Sequence, residues 1–296
     1  MNEIAMIATP QAIPPTLRQP LARLLLSLAD DEFILGYWDS EWTGVAPILE
    51  EDVACSSIAQ DEIGHARLFY EEAAAIIGIT ADQLAYGRQP AEYRQAQLVE
   101  RNRGNWAFTI ARQYLYDTAD NVRLKSLKDS TYLPLAQDVS KIQREEVYHL
   151  MHTATWLDRL ANIHGTSNTT DNTTNDTAHT LLTEALDSLW PDAIGLFEPF
   201  EDEELLLEAG ILSRSSKQLE QEWLESIEAI FDREHLPFPF IEVAPGSGTI
   251  QQAVSYVYQP TIQPRYGGRQ GLHVQDFMEL WEQMTMVYRL DPQAQW

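Results

Sequence analysis

The 296 residues include 45 Asp plus Glu against 20 Lys plus Arg, a formal charge of -25, and 44% of them are apolar. That apolar share can bury a full core and excludes a disordered chain, while the charge repels polyanions and leaves no basic stripe for nucleic acid or an anionic membrane. Cys55 is the one cysteine, which excludes an intrachain disulfide framework and a cysteine-rich zinc site and suits a reducing compartment.

From Leu17 to Trp42 apolar residues recur at intervals of three and four, as in Leu21, Leu24, Leu25, Leu28, Leu35 and Trp38, which predicts a first long helix. Gly44 and Pro47 break it. The pattern resumes from Glu50 to Ile77 through Val53, Ile58, His65, Phe69 and Ala73, and Gly78 supplies a stop, so the first two helices form a hairpin. A polar stretch from Thr80 to Ala91 crosses to a third pattern, Tyr93 to Leu127, and a fourth runs from about Leu135 to Ile163. Four helices, two short connections and one longer crossover predict an all-α four-helix bundle with a long crossover.

Residues 17–163 are expected to form the bundle core, the Ser, Thr, Asn and Asp of 166–177 a mobile polar loop, and 178–296 a helical extension of the same single domain. Helices are expected at about Ala178 to Leu189, Glu203 to Phe231 and Val274 to Arg289, with the Pro- and Gly-rich Leu236 to Arg269 irregular. No run of about 18 apolar residues occurs, and the first 20 residues lack a basic region followed by an apolar stretch, so a soluble, cytoplasmic protein is expected.

Chemistry enters where the two helix pairs echo each other. The second helix contains Asp61-Glu62-Ile63-Gly64-His65 and the fourth Glu145-Glu146-Val147-Tyr148-His149, each a Glu-x-x-His. Residues three apart share a helix face, so each pair can aim a carboxylate oxygen and an imidazole nitrogen at one point. Glu62 and His65 lie in line with Cys55, Ile58, Ala59 and Phe69, and Glu146 and His149 with Val139, Ile142, Thr153 and Trp156, so both pairs point into the bundle. Carboxylates in a low-dielectric core must be neutralised by protons, by pairing or by a cation, and few cationic side chains stand on these faces.

A two-metal site needs a carboxylate from each remaining helix, about 30 residues upstream of its partner Glu. Glu32 and Asp117 stand at that distance from Glu62 and Glu146. Asp31 is the alternative to Glu32, and Asp120 to Asp117. The set Glu32, Glu62, His65, Asp117, Glu146 and His149 is the ligand inventory of a carboxylate-bridged pair of iron ions, with manganese the other candidate. Glu62 and Glu146 are expected to bridge and Glu32 and Asp117 to bind terminally. Asp61, Glu145 and Arg144 are placed to orient the histidines, although a solvated helix face accounts for them equally well. No side chain beyond the ligands is assigned a catalytic role.

Leu28-Ala29-Asp30-Asp31-Glu32, Ser40-Glu41-Trp42-Thr43-Gly44, Ala59-Gln60-Asp61-Glu62-Ile63-Gly64-His65-Ala66-Arg67, Lys141-Ile142-Gln143-Arg144-Glu145-Glu146-Val147-Tyr148-His149-Leu150 and Gly268-Arg269-Gln270-Gly271-Leu272-His273 together resemble the ferritin-like phenylacetic acid catabolic protein family. The C-terminal segment is most similar to the C-type subunits of its multicomponent phenylacetyl-CoA epoxidases. The resemblance implies a ring-1,2-epoxidase system in which an A-type subunit holds two irons, an NAD(P)H-dependent reductase supplies electrons and the C-type partner lacks the ligands. This chain departs from the C-type pattern by keeping all six. The resemblance therefore implies a di-iron monooxygenase component acting on an aryl-acyl-CoA, either as a homodimer or with another ferritin-like subunit. A non-catalytic partner subunit and a ferritin-type iron oxidase or peroxidase are the alternatives. Arg67, Arg112 and Arg123 are candidates to meet the phosphates of the CoA.

Overall fold

The computed structural model describes residues 5–162, 173–243 and 255–294. Four long helices frame it: α1 (Pro15–Ser40), α2 (Leu49–Ile77), α5 (Trp106–Leu127) and α6 (Leu133–Asn162), with α3 (Ala81–Tyr86) and α4 (Gln97–Glu100) in the crossover between the two pairs. The turn from α1 to α2 is closed by the Asp52 carboxylate, which accepts the amides of Gly44 and Ala46 at 3.0 and 2.9 Å. Gly78, in the left-handed conformation at φ 90°, returns its N–H to the carbonyl of Ala74 and ends α2. Gly36 lets α1 approach α2 closely: a Cβ there would lie 3.0 Å from Glu62 Cβ and 3.1 Å from the Ala59 carbonyl oxygen.

The third helix begins at Trp106, not Tyr93. Tyr93 to Gly104 wraps across the bundle instead, burying Tyr93, Ala96, Leu98 and Val99 from non-helical or single-turn backbone. Asn105, whose side chain accepts the amide of Phe108 at 2.9 Å, starts the helix. Val53, expected to face inward, is 65% exposed.

Beyond the bundle, α7 (Thr173–Ile194) lies along α5 and α6, α8 (Glu203–Glu208) against α1, α9 (Ser216–Arg233) against α5, and α10 (Gln275–Leu290) against α3. The helix α7 starts five residues ahead of the expected Ala178, and the rest of the expected polar loop, 166–172, lies outside the described residues. The helix expected over 203–231 is two, because the chain turns at Gly210 (φ 70°) and restarts on a Ser215–Gln218 capping box. The 236–269 stretch is not wholly irregular: β1 (Phe240–Val243) and β2 (Ser255–Tyr258) pair antiparallel with Phe240 opposite Tyr258. Their inner residues Phe240 and Tyr256 join Phe231 and Phe238 around the fully buried Trp190 and Trp223. No described helix is long and apolar enough to cross a membrane.

Candidate metal centre

The six expected ligands are all buried, at most 2% exposed. Oxygen or nitrogen atoms of Glu32 on α1, Glu62 and His65 on α2, and Glu146 on α6 lie within 4.8 Å of one another. His65 Nδ1 is 3.4 Å from Glu32 Oε2 and 3.3 Å from Glu146 Oε1. On the other side, His149 Nδ1 is 3.1 Å from both Glu62 Oε1 and Glu146 Oε1. The imidazole rings stand 6.0 Å apart between centroids, and Glu146 Oε1 contacts both, while Glu62 contacts His149. Asp117, on α5, is adjacent electrostatically to Glu146 and His149, and its Oδ2 accepts the Thr153 hydroxyl at 2.9 Å.

Buried polar atoms almost always find partners, yet here Glu32 Oε2, both oxygens of Glu62 and of Glu146, His65 Nδ1 and both nitrogens of His149 have none. First-row dications take nitrogen and oxygen ligands at about 2.0 to 2.2 Å, which sets neighbouring ligands of one ion about 3 Å apart. The 3.1–3.4 Å separations without hydrogen-bond geometry match that spacing. This buried cluster of glutamates and histidines could hold a metal ion.

The electrostatics express the same crowding. Burial pushes the Glu62 carboxyl well above the usual range, and the charges of Glu32, Glu146 and Asp117 push it further. Burial, then the charge of Glu146, raises Asp117 likewise. For Glu146 the burial cost is outweighed by its contacts with His149 and His65, which hold it down at about 2. Burial opposes the charged imidazoles, but Glu146 and Glu32 hold His65 up at about 11 and Glu146 holds His149 up at about 9.

Around the cluster the two motifs are cross-linked. His65 Nε2 meets Glu145 Oε2 at 2.7 Å, and His149 Nε2 faces Asp61 Oδ2 at 3.6 Å. Each histidine is thus addressed by the carboxylate that precedes the glutamate of the opposite motif. Arg144 is exposed and makes no ion pair among the described residues, so it orients neither histidine. The structure separates the alternatives left open by spacing. Asp31 turns away from the cluster to Arg123 Nη1 at 2.6 Å and to a two-pronged bond from Arg269, both arms 2.8 Å. Asp120 is held by Arg123 at 2.7 Å. Arg123 and Arg112, which pairs with Asp39 at 3.1 Å, are therefore buried and committed, not free for phosphates; Arg67 is exposed and pairs with Glu71.

Two side chains not assigned from sequence complete the surroundings. The Tyr116 hydroxyl donates to Glu32 Oε1 at 2.9 Å, and Thr153 does the same for Asp117. Their signals were positional only: Tyr116 precedes Asp117, and Thr153 follows His149 by one turn.

The phenylacetic acid catabolic protein family model matches residues 1–296. The C-type subunit of the 1,2-phenylacetyl-CoA epoxidase of Escherichia coli (strain K12) is 31% identical over 277 residues, covering 93% of this chain and 99% of that protein. The helical bundle, the buried Glu-x-x-His pairs and this full-length similarity agree: the chain belongs to the phenylacetic acid catabolic protein family.

Proposed function

We propose that the chain is the di-iron oxygenase component of a phenylacetyl-CoA epoxidase-like system, with Glu32, Glu62, His65, Asp117, Glu146 and His149 as ligands. One observation carries the reading: unpartnered donor atoms of five buried side chains from three helices face one another at ligand spacing. Two ferrous ions held there would supply electrons and open positions for reducing dioxygen.

The protein's own part is positional. Glu146 contacts both imidazoles, and Glu62 contacts His149 while lying within 4.8 Å of the Glu32 and His65 donors, so both would be suited to bridge. Glu32 and Asp117, each steadied on one oxygen by a hydroxyl, are suited to bind at the ends. Glu145 fixes His65 with Nδ1 turned inward, since Nε2 is occupied by the outer carboxylate. Buried Ala59, Ala66, Phe69 and Ile142 line the same helix faces and shield the cluster from bulk water. By analogy with the relative's name the substrate is an aryl-acyl-CoA and the product its ring epoxide; the separate NAD(P)H-dependent reductase implied by the family resemblance would supply the electrons. Manganese fits the same ligands.

Similarity to a C-type subunit favours a second reading, a partner that works within a heteromer rather than alone. Metal analysis after anaerobic ferrous loading separates the two. About two irons per chain, lost in Glu62→Ala and Glu146→Ala, followed by an oxygenated product from phenylacetyl-CoA and a reductase, supports the oxygenase. A parent protein that takes up no iron leaves the partner role. Iron uptake with ferrous oxidation but no oxygenated acyl-CoA points to a ferritin-type oxidase.

A further inference from the structure

The two halves of the centre repeat each other in sequence but not in what stands behind their end carboxylates. Asp117 is capped by Thr153, whose single hydroxyl proton is shared with the backbone carbonyl of His149 at 3.0 Å, a neutral, local and weaker hold. Glu32 is capped by Tyr116, and Tyr116 is the end of a buried chain of charges. Arg123 Nη2 donates to the Tyr116 oxygen at 3.3 Å and to Asp120 at 2.7 Å, while its Nη1 donates to Asp31 at 2.6 Å. Asp31 is gripped in turn by Arg269 and by the Ala96 amide at 2.8 Å.

Arg269 reaches this position because the Gly267–Gly271 loop presses against the crossover. A Cβ on Gly268 would come within 2.3 Å of the Gln95 carbonyl oxygen, and one on Gly271 within 2.2 Å of that of Ala91. Arg269 also donates to the carbonyls of Arg94 and Leu196, so the loop, the crossover and α1 are tied at one point. Every member of the chain Arg269, Asp31, Arg123 and Tyr116 is at most 8% exposed.

This chain fixes the direction of one hydrogen bond. A phenol has a single proton, and the Tyr116 oxygen already accepts from Arg123, so its proton goes to Glu32 Oε1. Oε2 is the Glu32 oxygen that faces His65 Nδ1 without a partner. We propose that Tyr116, oriented by Arg123 and through it by Arg269, is a positioning residue that makes Glu32 a one-oxygen ligand through Oε2. A metal held there by Glu32 and His65 would keep a position that a chelating glutamate would fill. This inference rests on the di-metal reading above.

Cobalt(II) tests it without turnover, because its visible d–d absorption weakens and moves to shorter wavelength as coordination number rises. The full chain is loaded with cobalt as wild type, Tyr116→Phe and Thr153→Val, with stoichiometry and circular dichroism measured on each. In Tyr116→Phe, Oε1 is released and can chelate. The expected result is unchanged stoichiometry and fold with weaker, blue-shifted absorption per cobalt, and no such change for Thr153→Val. A Tyr116→Phe spectrum identical to wild type at equal cobalt content overturns the inference while leaving the di-metal reading intact. A wild type that binds no cobalt overturns both. Should Tyr116→Phe not fold, a crystal structure of the cobalt-loaded wild type decides: Glu32 bound through Oε2 alone supports the assignment, and Glu32 chelating through both oxygens removes it.

Discussion

Protons and metal should compete for the centre, and the competition should be readable in stability. Without a cation the cluster holds its charges by keeping protons that the unfolded chain would release. Glu62 and Asp117 are raised well above the carboxylate range, His65 to about 11, His149 to about 9 and Asp120 to about 8. A group whose native pKa is raised contributes stability in full below its unfolded value, about 4 for the carboxyls and about 6.5 for the imidazoles, and loses it as pH rises toward the native value. Glu146, depressed to about 2, works the other way, but its window lies between that value and about 4.5. Above pH 5 the raised groups therefore act in one direction, and the metal-free protein loses stability as pH climbs. Each net excess proton in the native state gives a slope of about 1.4 kcal/mol per pH unit. Urea unfolding of chelator-treated protein between about pH 5.5 and 8.5 measures it, and Glu62→Gln should flatten the slope. Ferrous or manganous ion, bound only by deprotonated ligands, should flatten or reverse it. Metal-free stability that rises over this range, or a slope untouched by metal, would refute the argument.

Two further outcomes follow from the surroundings of the cluster. Loss of a partner that orients a metal-binding histidine costs about 10- to 100-fold in metal affinity; Glu145, at 2.7 Å from His65, should sit near the lower end because its carboxylate is half exposed, and Asp61, at 3.6 Å from His149, below it. Chelator competition on Glu145→Gln and Asp61→Asn tests the order, and a larger loss in Asp61→Asn contradicts the geometry. Gly36→Ala should crowd Glu62: overpacking costs about 1–3 kcal/mol, partly offset by up to about 1 kcal/mol of helix propensity. A lower melting temperature with reduced metal uptake is expected, and an alanine variant as stable and as metal-competent as wild type would show that the close approach of α1 and α2 is dispensable.

The buried cluster was legible because helical spacing is a strict ruler. Glu62 with His65 and Glu146 with His149 share faces whatever the rest of the chain does, and the 30-residue hairpin offset places Glu32 level with Glu62. Spacing could not choose between Asp31 and Glu32, because α1 is buried on nearly all sides: Asp30, Asp31 and Glu32 are all inaccessible. What decides it is Arg269, 238 residues away, which claims Asp31. The early start given to the third helix has a similar cause. Tyr93, Ala96, Leu98 and Val99 are buried because their segment lies across the bundle, not because it belongs to the long helix, and the boundary signal was the capping Asn105. The strands β1 and β2 are four residues each, too short for an alternation to stand out from an irregular Pro- and Gly-rich stretch.

The chain's acidity looks, in composition, like a solvated surface, but its buried part includes two contrasting groups. Five buried aspartates each meet an arginine: Asp30 with Arg88, Asp31 with Arg123 and Arg269, Asp39 with Arg112, Asp120 with Arg123, and Asp192 with Arg101 and Arg265. Glu32, Glu62, Asp117 and Glu146, in the same core, meet no Lys or Arg among the described residues. A core that supplies guanidinium groups to five carboxylates and withholds them from the four that face one another is one in which the neutralising charge for those four comes from elsewhere. Breaking a buried pair by removing one partner costs about 3–5 kcal/mol, so a cluster of carboxylates without arginine or lysine partners is retained only where protons, on the carboxyls or the imidazoles, or a cation meet the charge. The arginines are not absent from the centre's surroundings; they stand one residue back, and Arg123 touches it only through the phenol of Tyr116. That placement orients Glu32 without putting a fixed positive charge where a dication would have to sit.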